Sequence, residues 1–160
     1  RVFAGEPVEV RYRTGLTDTA GHPAHAATYF RLRLIVLDGE LLNAPREHRR
    51  ILPHELFHFV WVRLGNPRRL AWEQVLRDEW RKGVSGETGW SAEWRKQKLR
   101  ASDVRRRSRR WREYCCESFC DTAAWLYSGV ARHPEFTLGA RASRFRRTWF
   151  LGIEHRGFSI

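Results

Sequence analysis

Between Arg49 and Pro67 the chain reads RRILPHELFHFVWVRLGNP, and no other stretch restricts the fold as strongly. Apolar residues recur at Ile51, Leu52, Leu56, Phe59, Val60 and Leu64, which is a helical period. Asn43 and Pro45 supply start signals, and Gly65-Asn66-Pro67 supplies a stop. The spacing predicts a helix over 45–64, with a kink or break at Pro53, just before His54. Among these apolar flanks stand His54, Glu55 and His58. Polar groups buried without partners are costly, so three of them on one apolar helix need a partner from elsewhere.

A metal ion is the partner that this pattern suits. With about 3.6 residues per turn, His54 and His58 share a helix face, one turn apart. Two imidazoles so placed can hold one ion, and Glu55, on the shoulder of that face, can reach a water on it. This is the H-E-x-x-H arrangement of zinc hydrolases, in which the glutamate acts as general base. A third ligand must come from elsewhere. An H-E-x-x-H-x-x-G-x-x-H site would need glycine and histidine where the chain has Trp61 and Leu64, and no histidine lies between His58 and His133. The segment REYCCESFCDTAAWLY instead places Glu117 and Asp121 on one helix face. Glu117 can complete a His₂Glu site, and Asp121 can accept the free ring N–H of a ligating histidine. Glu113, one turn earlier, is the other candidate ligand. Tyr114, Tyr127, His133 and His155 are candidates for stabilising an oxyanion.

His54-Glu55-Leu56-Phe57-His58 followed by Glu117-Ser118-Phe119-Cys120-Asp121 resembles the gluzincin pattern of thermolysin-like peptidases. The segment from Phe30 to Val60 also resembles the strand–turn–helix core of small zincins. The resemblance spans roughly 28–64 and 113–125. It implies His54, His58 and Glu117 as zinc ligands, Glu55 as general base, Asp121 behind the ligands, and a peptide or protein substrate lying along the strand. The interval from His58 to Glu117 is longer than in those enzymes and holds a helical insertion at about 66–101.

The surrounding pattern predicts one α+β domain over 1–160, zincin-like, with a small N-terminal sheet and a mainly helical remainder. Strands are expected at 7–13 and 28–38, the latter with Phe30, Leu32, Leu34 and Val36 on one face. Two short helices are expected between 68 and 100, and a long one from Ser102 to about Tyr127. The run RFRRTWF in the tail fits helix and strand equally. His22 and His25 fall in a turn-rich loop, within reach of assisting a metal.

A formal net charge of +12, from 30 basic and 18 acidic residues, favours acidic partners, including nucleic acid. VRRRSRRWRE reads as a solvated helix face whose arginines pair with nearby acids. The arginines of the 28–38 strand suggest acidic residues flanking a scissile bond. No apolar run approaches the roughly 20 residues needed to span a membrane. Cys115, Cys116 and Cys120 lack C-x-x-C spacing and read as small apolar groups in a reducing, cytoplasmic compartment. Trp61 and Trp125 are expected beneath the site, and Trp90 with Trp94 line either a core or a cleft. The rival to a zinc peptidase is a zincin-fold regulatory or nucleic-acid-associated protein without peptidase activity; a structural domain without metal is the third reading.

Overall fold

A computed structural model describes residues 3–17, 20–155 and 157–160. The chain is mixed α and β. Strand β1 (Phe3–Ala4) pairs in parallel with β5 (Phe158–Ser159), bringing the two ends of the chain together. A three-stranded sheet has the order β2 (Glu9–Arg13), β4 (Leu34–Asp38), β3 (Ala26–Tyr29), with β2 parallel and β3 antiparallel to the central strand. The described residues also form six α-helices: α1 (Pro45–Arg63), α2 (Asn66–Arg81), α3 (Trp90–Gln97), α4 (Ala101–Arg106), α5 (Arg109–Tyr127) and α6 (Ala140–Glu154). Among the described residues no helix is long and apolar enough to cross a membrane.

Helix α1 is the hub. Ile51 and Phe59 pack with Ile35, Leu37 and Leu41 beneath the sheet. Phe57 and Val60, rotated away from them, enter a second core with Trp72, Leu76, Trp111, Phe119 and Phe150 from the other helices. With two sides of the helix committed to packing, the stripe bearing His54, Glu55 and His58 is left free of both cores, and His54 and Glu55 face a cavity. Helix α5 packs against α1 more extensively than any other helix does, which carries Glu117 and Asp121 to that stripe.

Several expectations need correction. The strand anticipated over 28–38 is a hairpin: Phe30–Leu32 form a 3-10 turn, and Arg33 adopts a left-handed conformation with φ of 49°. Tertiary contacts hold Arg33 there. Its guanidinium donates to the carbonyls of Glu6 and Pro7 and lies over the Phe59 ring. Leu32, expected on the buried face, is 69% exposed as a result. Arg31 and Arg33 therefore lie off the cavity, and the suggestion of acidic residues flanking a scissile bond loses its basis. Helix α1 runs unbroken through Pro53; packing on two sides carries it past the one missing backbone bond. Its N-cap is Ala44, and Asn43 closes the preceding 3-10 turn.

The long helix expected from Ser102 is two. Arg107, with φ of 52°, turns the chain, and Ser108 caps α5 by accepting the N–H of Trp111. The turn places the Arg107 guanidinium in a two-point ion pair with buried Glu73, which also accepts from the Trp111 indole. RFRRTWF is helical, within α6.

Candidate metal centre and its cleft

His54 and His58 project from α1 and Glu117 from α5. The Nε2 atoms of the two rings are 3.2 Å apart. Glu117 Oε2 lies 3.3 Å from His54 Nε2 and 3.9 Å from His58 Nε2. Ligands at Zn–N and Zn–O distances near 2.0–2.2 Å in a tetrahedron stand roughly 3.3–3.5 Å apart, so this triangle is close to three corners of a zinc site. The far nitrogen of each ring is already engaged. His54 Nδ1 meets Asp121 Oδ1 at 2.8 Å, and His58 Nδ1 meets Cys116 Sγ at 3.6 Å. With Nδ1 of each ring engaged, the two Nε2 atoms and Glu117 Oε2 face one another; without protons on Nε2 they are three converging acceptors, which call for a positive charge between them, either a proton shared with Glu117 or a metal ion. The residues present therefore fit a zinc ion of the His₂Glu type.

The electrostatics agree with that donor set. Burial alone would push the His54 imidazole down, but Asp121 and Glu117 outweigh it and hold the ring well above the ordinary histidine range. Burial likewise opposes ionisation of Glu117, yet its contact with His54 and the charges of His58 and Arg95 hold its carboxyl at about 2. A pocket that keeps a carboxylate ionised and draws protons onto its imidazoles attracts positive charge, and a divalent cation competes with those protons for the same lone pairs.

Glu55 sits beside the triangle. It accepts a hydrogen bond of 2.6 Å from Thr28 Oγ1 on β3, an edge strand of the sheet. A cavity of about 690 Å³ opens here, its floor formed by His54, Glu55 and Asp121. One wall is the segment His22–Ala26; the opposite wall is Trp90, Ser91, Trp94 and Arg95 from the start of α3. Asp121 ties that second wall to the centre, because its other oxygen accepts the N–H of Ala92 at 2.8 Å. Gly89 permits the approach: a Cβ there would stand 2.3 Å from the Asp121 carboxyl carbon.

Exchanging Asp121 for asparagine should weaken zinc binding about 10- to 100-fold, as removal of such supporting carboxylates does. Competition with a chromophoric chelator measures it; an unchanged affinity would show that Asp121 does not support His54.

The oxyanion candidates do not reach the cleft. Tyr114 shares a stripe of α5 with Asp121 but lies two turns away, about 10 Å along the axis. It is 1% exposed and donates to Glu87. His155 is exposed at the end of α6, away from the cavity lining. Tyr127 packs against Phe57 and donates to Glu154, and His133 is paired with Glu47. Glu113, the other candidate ligand, is on the surface in an ion pair with Arg109. Two arginines line the cavity: Arg50, paired with Glu47 and Glu135, and Arg95, 3.2 Å from the second oxygen of Glu117. His22 and His25 line it as well. Trp61 packs on Phe119 at the edge of the helical core, and Trp125 lies under Arg147.

Thr28, Arg95 and Cys116 were not singled out for the site by the sequence pattern. Nothing local marks Thr28 or Arg95; Cys116 carries a signal, lying next to Glu117 and therefore on the ligand helix.

The chain matches no family model, and no curated protein or solved structure matches it.

Proposed function

We propose that the protein is a zinc-dependent peptidase with a zincin-like arrangement of its motif helices. The observation that carries this reading is the convergence of His54 Nε2, His58 Nε2 and Glu117 Oε2, with Glu55 at its edge. The zinc ion, when bound, supplies Lewis acidity and an acidified water at neutral pH. Glu55 takes a proton from the attacking water and returns it to the departing amine. Thr28 holds the Glu55 carboxylate in place. Arg95 supplies a fixed positive charge at the cleft wall, where negative charge builds on the carbonyl oxygen. The substrate is an extended peptide that enters between the 22–26 segment and α3.

A second reading draws on Arg105, Arg106, Arg110 and Arg112, all exposed around the junction of α4 and α5. It makes the protein a nucleic-acid binder, with an affinity that falls steeply as salt rises.

The test is digestion of an unfolded protein substrate, read by mass spectrometry. The zinc-loaded chain is expected to produce new peptide termini, a chelator to stop it, and added zinc to restore it. Cleavage that persists in the chelated protein would contradict the reading.

A further inference from the structure

The cleft wall contributed by α3 carries a feature that hydrolysis of a generic peptide does not use. Trp90, Trp94 and Lys98 follow one another at four-residue spacing and form a ladder along one side of the helix. The rings of Trp90 and Trp94 are stacked, 5.9 Å between centroids and 26° between planes. Lys98 Nζ lies 3.4 Å from the Trp94 ring centre. Trp94 is partly covered by its neighbours on the ladder and remains 40% exposed, and Trp90 is the more open end, 59% exposed. A large indole left open to water inside a cleft is a costly surface that a ligand can cover.

The charges around Trp90 are already paired. Glu135 takes two hydrogen bonds from Arg50 and a third from the Trp90 N–H. Arg95 faces Glu117. Glu135 and Arg95 are thus already engaged, and what Trp90 itself presents to a ligand is a flat π face. The face is also rigidly placed. Helix α3 has no side-chain cap of its own; the carboxylates of Glu135 and Asp121 cap it from outside, at the N–H groups of Trp90 and Ala92. Since Asp121 also holds His54, the aromatic ladder and the candidate metal centre are fixed to each other.

The geometry points to a subsite for an aromatic side chain of the substrate, stacked on the open face of Trp90 and setting which peptide bond reaches His54 and Glu55. This inference rests on the peptidase reading for its biological setting, but the subsite itself can be tested without turnover. The probes are acetyl-Gly-Ala-Phe-Ala-Gly-amide and its alanine counterpart, titrated calorimetrically into zinc-treated Glu55→Gln protein. A single phenylalanine in a small-residue peptide lets the register slide until the ring meets Trp90. The phenylalanine peptide is expected to bind about tenfold more tightly, the size of effect that ring burial and stacking supply. Trp90→Ala should remove that difference and Trp90→Phe should keep most of it, with zinc content and circular dichroism reporting that each variant is folded. Equal binding of the two peptides overturns the inference, as does a preference that survives in Trp90→Ala. So does an oligothymidylate that binds through Trp90 while the phenylalanine peptide does not bind. If the tenfold preference is found and the zinc-loaded unmutated chain produces no new termini from an unfolded protein, the peptidase reading fails and the aromatic subsite stands.

Discussion

Glu55→Gln is expected to keep its zinc and to lose peptide hydrolysis by about 10³-fold, within the 10²–10⁴ range that a positioned general base contributes. The substitution is nearly isosteric, and the amide oxygen can still accept from Thr28 Oγ1, which now bonds the carboxylate at 2.6 Å. What disappears is the capacity to receive a proton. The three candidate ligands are untouched, so metal content and thermal stability should match the parent. The effect should fall on kcat with little change in KM, because in the proposed reaction Glu55 acts on the water and not on the peptide. Steady-state kinetics on a quenched fluorescent peptide, beside a metal assay of the same preparation, reads both quantities. Hydrolysis within a factor of a few of the parent would remove Glu55 from the reaction.

The second large effect concerns stability and lies outside the cleft. Arg146 is fully buried on α6. Its five N–H donors are all used: three nitrogens bond Glu79, Glu87 and Thr122 in a closed set. Glu87 also accepts from Tyr114 and Ser118 and faces Lys96 at 3.1 Å. Burial would raise the Glu87 carboxyl, but Arg146 and Lys96 outweigh it and hold it at about 2. Arg146→Met would leave two carboxylates buried with far less compensation, a change that costs roughly 3–5 kcal/mol. Domains of this size have only about 5–15 kcal/mol in total, and each kcal/mol moves Tm by about 2–4 °C. The midpoint should therefore fall by roughly 6–20 °C, in chelated and zinc-loaded protein alike. A shift under about 2 °C would mean that the network is not formed as described. Tyr114 belongs to this network, and that is why its hydroxyl is unavailable to the cleft.

The parts of the architecture that could be read from sequence are those set by local periodicity. Helix α1 announces itself through apolar spacing and its flanking stop signal, and the positions of His54, Glu55 and His58 on one stripe follow from helix geometry alone. Glu117 and Asp121 were legible for the same reason, since a four-residue spacing on a helix survives any packing. Arg33 and Arg107 were not legible. Each takes a left-handed conformation that an arginine does not prefer, held by partners distant in sequence: the carbonyls of Glu6 and Pro7 for one, the carboxylate of Glu73 for the other. Those two residues turn an expected strand into a hairpin and an expected helix into two. The cleft wall was half legible. The spacing of Trp90 and Trp94 marked a face, but the choice between core and cleft depended on Gly89 letting α3 close onto Asp121. Arg95 and Thr28 owe their positions to that packing and to the sheet edge, and neither carries a sequence signal.

In the proposed centre His54, His58 and Glu117 hold one zinc ion. The most direct measurement is the metal content of the purified chain beside Glu117→Ala, both dialysed against zinc and then against metal-free buffer. The parent should retain one zinc per chain and the variant should lose it, because two imidazoles on one helix turn make a far weaker site than three ligands in a closed set. A parent that takes up no zinc, or a variant that holds it as tightly as the parent, would contradict the assignment.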